Sequence, residues 1–150
     1  MLKFKNLHTV YFSHMFGRRK KSRAKVDWVK APDILDRVHE LVQKLDLYWI
    51  QADKIYAIRS TGSSARAYAR IWGMSRVWQI AANLPAVYCI EVVTQYFDGL
   101  SKMEQDKVLL HELAHIPRNF SGALVAHNHS KGGFHDKLNE MLRAYKKMDK

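Results

Sequence analysis

Apolar positions at helical spacing open the chain's regular part. After Pro32, which suits a first helical position, Ile34, Leu35, Val38, Leu41, Val42 and Leu45 keep the 3.6-residue period and predict an amphipathic helix. His39 lies on its polar side, where a structural role is expected. From Lys54 the period changes. Residues 54–59 read as a strand, and Ser60 to Ser64 as a turn or loop. The segments Ala67 to Trp72 and Val77 to Ala81 flank Gly73 and predict a hairpin, with Trp72 and Trp78 in the core. Asn83-Leu84-Pro85 breaks the chain, and Ala86 to Val93 is the strongest strand in it. A loop around Asp98-Gly99 follows.

The next stretch is bounded at both ends. Ser101 and Glu104 have capping-box spacing, Ser at N-cap and Glu at N3. Val108, Leu109, Leu110 and Leu113 give a broad apolar face. Pro117 lacks a backbone donor and disfavours helical geometry at Ile116, so the helix stops just past His115. Phe134, Leu138, Met141, Leu142, Tyr145 and Met148 space a last helix. The order helix, strands, helix, helix predicts an α+β domain: a small antiparallel or mixed sheet packed against an N-terminal helix, the helix ending at His115 and a C-terminal helix. The strand before that second helix is the expected sheet edge, open to an extended peptide.

Composition narrows the class. A chain of 150 residues is one domain with enough length for a core. No run of eighteen apolar residues spans a membrane, and Thr9 to Phe16 is too short and polar for a signal peptide. The single cysteine, Cys89, excludes an internal disulfide, fits a reducing, cytoplasmic compartment, and is expected as a buried strand residue. The net charge of +11 is uneven: residues 1–30 hold nine Lys/Arg and one Asp, chiefly Arg18 to Lys25. Residues 1–26 therefore read as a basic N-terminal arm and 27–150 as the domain. Such an arm contacts nucleic-acid phosphates without reading sequence, or is a solubilising tail. Phe4, Tyr11, Phe12 and Phe16 in it point to some packing.

The chemistry is concentrated in His111-Glu112-Leu113-Ala114-His115. Four-residue spacing puts both imidazoles on one helix face, able to hold one zinc ion, with Glu112 beside them as general base toward a zinc-bound water. The turn through Asn119, Ser121 and Gly122 then leads to His127, giving the open three-ligand layout of a catalytic zinc site. His129 and His135 compete with His127 for the third place. Glu91, Asp98 or backbone carbonyls are candidate partners for the other ring nitrogens; His129, His135, Arg118 and Tyr145 are candidates to stabilise an oxyanion.

From Trp28 to the C-terminus the chain resembles a family of small zincin-type metallopeptidases of archaea and bacteria, relatives of the phage metallopeptidase domain. Trp28 with Ala31-Pro32-Asp33, Ile58-Arg59-Ser60, Ala69-Arg70-Ile71-Trp72-Gly73, Ile90-Glu91-Val92, the segment His111 to Pro117, Asn119 to Leu124 and His127 carry the resemblance. It implies a zincin-like core, zinc on His111, His115 and His127, a catalytic Glu112, and hydrolysis of peptide or protein substrates. SprT-like proteases are more distantly similar; they have glycine directly after the third His, where this chain has Asn128. The competing class is a nucleic-acid-binding module with a structural metal, in which the basic arm does the work.

Overall fold

The computed structural model describes residues 25–127 and 130–148. The basic run up to Ala24 and His129 lie outside the described residues. β1 (Asp27–Lys30) leads into α1 (Pro32–Lys44), which Pro32 starts and whose buried stripe is Ile34, Val38, Leu41 and Val42. A 3-10 turn (Ala52–Lys54) precedes β2 (Ile55–Thr61); His39 Nε2 meets Ala52 O there at 2.8 Å, the structural role expected of it. Then come β3 (Ala69–Gly73), α2 (Arg76–Ala81), β4 (Tyr88–Val93), α3 (Thr94–Phe97), α4 (Lys102–Ala114) and α5 (Phe134–Met148). The fold is α+β.

The sheet is mixed, in the order β1-β2-β4-β3, with β2 and β4 parallel and the outer pairs antiparallel. One face carries Ile55, Ala57, Ala69, Ile71, Ile90 and Val92 into a core shared with α1, α4 and α5. Every residue of β4 but Cys89 is buried, as a central strand requires. This corrects the expectation that β4 is the sheet edge. β4 lies between β2 and β3, and the edge beside α4 belongs to β3.

Three further readings change. Ser60 and Thr61 extend β2 because they pair with Trp28 and Asp27, a long-range contact that local turn preference does not register. No hairpin forms around Gly73. Residues 76–81 are a helical turn and a half, N-capped at an extended Ser75, and Gln79 is its buried residue. Trp72 and Trp78 are 51% and 65% exposed, not core. The β-forming residues of this stretch favour a strand locally, but the Gln79 amide donates to Met74 O (2.8 Å) and Ser121 O (2.9 Å), and those bonds select the helix. Gly73 serves close approach: a Cβ there would lie 2.2 Å from Gly122 O. Cys89 is on a strand as expected, though only half-buried.

α4 crosses beneath the sheet with its expected capping box formed: Ser101 Oγ accepts from Glu104 N and the Glu104 carboxylate accepts from Ser101 N. Its second half is buried nearly all round (Leu109, Leu110, Glu112, Leu113 and Ala114), so it is a core helix rather than a surface helix with one apolar stripe. It is anchored by Asp106, buried, which accepts from Arg37 Nε (2.6 Å) on α1 and Tyr145 Oη (2.6 Å) on α5. Burial alone raises the Asp106 pKa; the hydrogen bonds from Arg37 and Tyr145 and the Arg37 charge outweigh it and hold the carboxyl below its ordinary value. The stability this adds is complete above the unfolded carboxylate pKa of about 4 and is lost as pH falls through the lower folded value. Asp106→Ala leaves Arg37 with Glu40 as its remaining carboxylate and the buried Tyr145 hydroxyl without the Asp106 acceptor, and is expected to cost about 1–3 kcal/mol. Urea unfolding at neutral pH checks the cost, and the same series below pH 4 should show the gap to wild type narrowing.

Candidate metal centre

α4 delivers the first two histidines. His111 is one turn inside its end and His115 is its C-cap residue, still near helical geometry (φ −71°, ψ −17°). Pro117 then turns the chain away, as expected. Phe120 (φ 48°) and Gly122 (φ 87°) adopt left-handed backbone in a tight turn, which returns the chain beside the helix end. Val125 docks there twice: its N–H donates to His115 O (2.8 Å), and its carbonyl lies 2.6 Å from His115 Nδ1. His115 Nδ1–H donates to that carbonyl, which fixes the tautomer and leaves the Nε2 lone pair free for a metal. Two residues on, His127 comes to the helix. Its Nε2 lies 3.0 Å from His111 Nε2. One ligand atom from each of His111, His115 and His127 falls within 4.8 Å of the others.

Phe134, at the start of α5 and fully buried, is the wall behind all three rings. Its centroid lies 5.0 Å from His111, 4.4 Å from His115 and 4.5 Å from His127. The helical period of α5 marks Phe134 as a packing residue; that it packs on the histidines follows only from the return of the chain through the 117–127 turn. Lys137, one turn further, buries its ammonium against Ile116 O (2.7 Å) and so satisfies a carbonyl at the end of α4. Burial pushes its pKa down to about 8.

The electrostatics suit a cation. Burial, then the neighbouring His115, His127 and His135, pushes His111 down to about 4. His115 is lowered too, by burial first. Both rings are therefore neutral near pH 7, the ligating form. Glu112 is buried, its carboxyl raised to about 7 by desolvation alone. Three imidazoles, with one pair of ring nitrogens 3.0 Å apart and one ligand atom from each within 4.8 Å of the others, are compatible with the roughly 3.3 Å between donors around a tetrahedral zinc-sized ion, and the donor set fits a divalent transition metal.

The other expected candidates fall elsewhere. Glu91 accepts from Trp28, Arg70 and Trp72 on the opposite face of the sheet, and Asp98 meets Arg59; the His115 partner is a backbone carbonyl. Tyr145 is committed to Asp106. Arg118 stacks on Trp49, 4.6 Å from its centroid, and donates to Tyr48 and Glu140. Neither lines the groove over the histidines. His135 stays close, its ring centroid 6.3 Å from His127, but is outside the three-histidine cluster.

That groove, about 460 Å³, runs between the edge strand β3 and α4 and is lined by Ala67 and Ala69 to Trp72 on one side and His111, Glu112, His115, Leu124 and His127 on the other. A second hollow of about 400 Å³ continues it past Tyr68, Lys107 and Val108, sharing Ala67, Ala69, His111 and Glu112.

Tyr88 holds the turn that carries His127. Fully buried on β4, its hydroxyl donates to Ala123 O (2.9 Å) and accepts from Gly122 N (2.8 Å). Tyr88→Phe keeps the ring packing and removes both bonds. Metal affinity should fall about 10–100-fold, the range for lost ligand support, with about 1–3 kcal/mol of stability. Metal titration of the variant with a chromophoric competitor checks it; unchanged affinity would mean that the turn is held without Tyr88.

A three-histidine centre, half-buried at His111 and His115 and exposed at His127, with a buried carboxylate beside it and a groove along a strand edge, is the arrangement of a metal-dependent hydrolase. Residues 26–147 match the family described as putative phage metallopeptidase, and the chain belongs to that family. The family is one of metallopeptidases, which makes peptide or protein the expected substrate and a metal the expected cofactor. No curated protein and no solved structure matches the chain. Among the described residues no helix is long and apolar enough to cross a membrane.

Proposed function

We propose that this protein is a zinc-dependent peptidase of the zincin type, with His111, His115 and His127 as metal ligands and Glu112 as the catalytic base. The observation that carries the reading is the convergence of those three imidazoles on one point of a groove that Glu112 also lines. Zinc, when bound, supplies polarisation of the scissile carbonyl and acidification of a water. The remaining work falls to this chain's own groups. Glu112, free of hydrogen bonds from the described residues, takes the proton from the attacking water and hands it to the leaving amine. His115 is kept in one tautomer by Val125 O, and Phe134 fixes the ring planes. The edge of β3, which no strand of the described residues pairs, offers backbone donors and acceptors to an extended peptide, laid over the histidines between Ala69, Ile71 and Leu124.

The competing reading, a structural metal in a nucleic-acid-binding module, requires a closed four-ligand site. Among the described residues the cluster has three histidines, and its groove is open. In the peptidase reading residues 27–150 are the catalytic unit, residues 1–26 a basic arm outside it, and the half-buried Cys89 belongs in a reducing cytoplasm. Metal analysis of the purified protein, joined to a peptide-library cleavage assay, tests the proposal. Stoichiometric zinc with chelator-sensitive cleavage supports it; zinc bound without cleavage of any library member favours the structural site.

A further inference from the structure

Among the described residues no helix packs over the middle of the sheet's second face, and its chemistry is unlike that of an ordinary solvated face. Strand register puts Tyr56, Cys89 and Trp72 in one row across it, Lys30, Ile58, Glu91 and Arg70 in the next, and Trp28 beside Ser60 beyond them. An exposed sheet face is normally polar. Here Trp28, Tyr56 and Trp72 are 57%, 53% and 51% exposed.

Both indoles are held in place. Glu91, fully buried at the floor, accepts from Trp28 Nε1 (3.4 Å), Trp72 Nε1 (2.8 Å) and Arg70 (2.7 Å). A hollow of about 280 Å³ lies between the indoles, floored by Ile58, Cys89 and Glu91. The Arg70 guanidinium also sits 5.5 Å from the Trp72 ring centroid. Glu91 is the face's one strand carboxylate, and Arg70 neutralises it. Lys30 stands on the same face, and the sequence just before β1 is basic from Arg18 to Lys25.

We propose that this face is a binding platform for single-stranded nucleic acid. Bases stack on Trp28, Tyr56 and Trp72, and phosphates meet Lys30 and Arg70. Ring faces at fixed positions beside cations are what unpaired bases need, whereas bases in a duplex are already stacked on each other. A second copy of the chain is disfavoured as the occupant, because each copy carries a net charge of +11. The inference does not depend on the metal centre.

The test is fluorescence anisotropy with the full-length protein and labelled oligo-dT and oligo-U of roughly 20 nucleotides, against a duplex of the same length. The single strands should bind more tightly than the duplex, with affinity falling as salt rises. Tyr56→Ala and Trp28→Ala should each weaken binding by about fivefold or more, the range for loss of one base–aromatic stack. Trp28→Phe should retain most of it. Tyr56 has no bond to Glu91, so its variant probes stacking without loosening the floor; melting curves confirm the fold of each. Tyr48→Ala, at an exposed aromatic off this face, should be silent. Absence of binding at low salt, or equal affinity for duplex, overturns the proposal. So does binding that is lost on neutralising Arg18 to Lys25 but unchanged in Tyr56→Ala and Trp28→Ala. If those two variants instead change the mass in sedimentation and leave nucleic-acid binding intact, the face is an interface between copies, and the proposal fails.

Discussion

Glu112→Gln is expected to lower kcat/KM by about 10³-fold while the protein keeps its fold and its metal, because the amide has the size of the carboxylate but cannot accept the water's proton. The metal site should survive, since His111, His115 and His127 supply the donors without it. The fold should survive as well. Burial already disfavours the charged carboxylate, so an uncharged amide in its place relieves a cost. The metal-free variant should melt no lower than the wild type. The measurement is single-turnover cleavage of a peptide that the wild type cuts, with metal content and melting temperature on the same sample. A variant that cuts at the wild-type rate removes Glu112 from the mechanism; one that loses its metal makes Glu112 part of the site's structure instead.

The second large effect is at the ligands. His115→Ala should abolish both metal retention and activity, with an affinity loss beyond the 10–100-fold that removal of a supporting hydrogen bond costs. The three imidazoles form a near-equilateral triangle, with ring centroids 5.3 Å (His111–His115), 4.6 Å (His115–His127) and 5.0 Å (His111–His127) apart, so loss of His115 leaves a two-donor site. His127→Ala should behave alike. His135→Ala should keep its metal, because His135 stands outside the cluster. Equilibrium dialysis of zinc against each variant decides among them. If His135→Ala loses the metal and His127→Ala keeps it, the third ligand is misassigned and the 117–127 turn has another role.

Local chemistry made most of α1, α4 and α5 readable. Pro32, the Ser101–Glu104 box and Pro117 act over a few residues, and the apolar period of α1 and α5 does not depend on what packs against it. The pairing of His111, Glu112 and His115 was legible for the same reason: four-residue spacing on a helix places two side chains on one face whatever surrounds them. The stretch from Ser60 to Ala81 was not. There Ser60 and Thr61 are drawn into β2 by β1, and Val77, Trp78 and Ile80 form an exposed helical turn because Gln79 must reach Met74 and Ser121.

What the sequence by itself determined is therefore the helix boundaries around the His111–His115 segment, the α+β class and the spacing of those two histidines on one helix face, all consequences of short-range geometry. The tertiary structure decided the rest. It chose the edge strand, since sheet order depends on contacts between residues dozens of positions apart: β2 pairs with β4, and β3 is left on the outside beside α4. It singled out His127 among the downstream histidines of the described residues, through the left-handed turn at Phe120 and Gly122, the Val125 bridge and the Tyr88 hydroxyl. It also turned Phe134 from a packing residue into the wall of the centre, and Glu91 from a candidate histidine partner into the anchor of two exposed indoles. Each of those outcomes depends on which elements meet in space, and no local spacing encodes that.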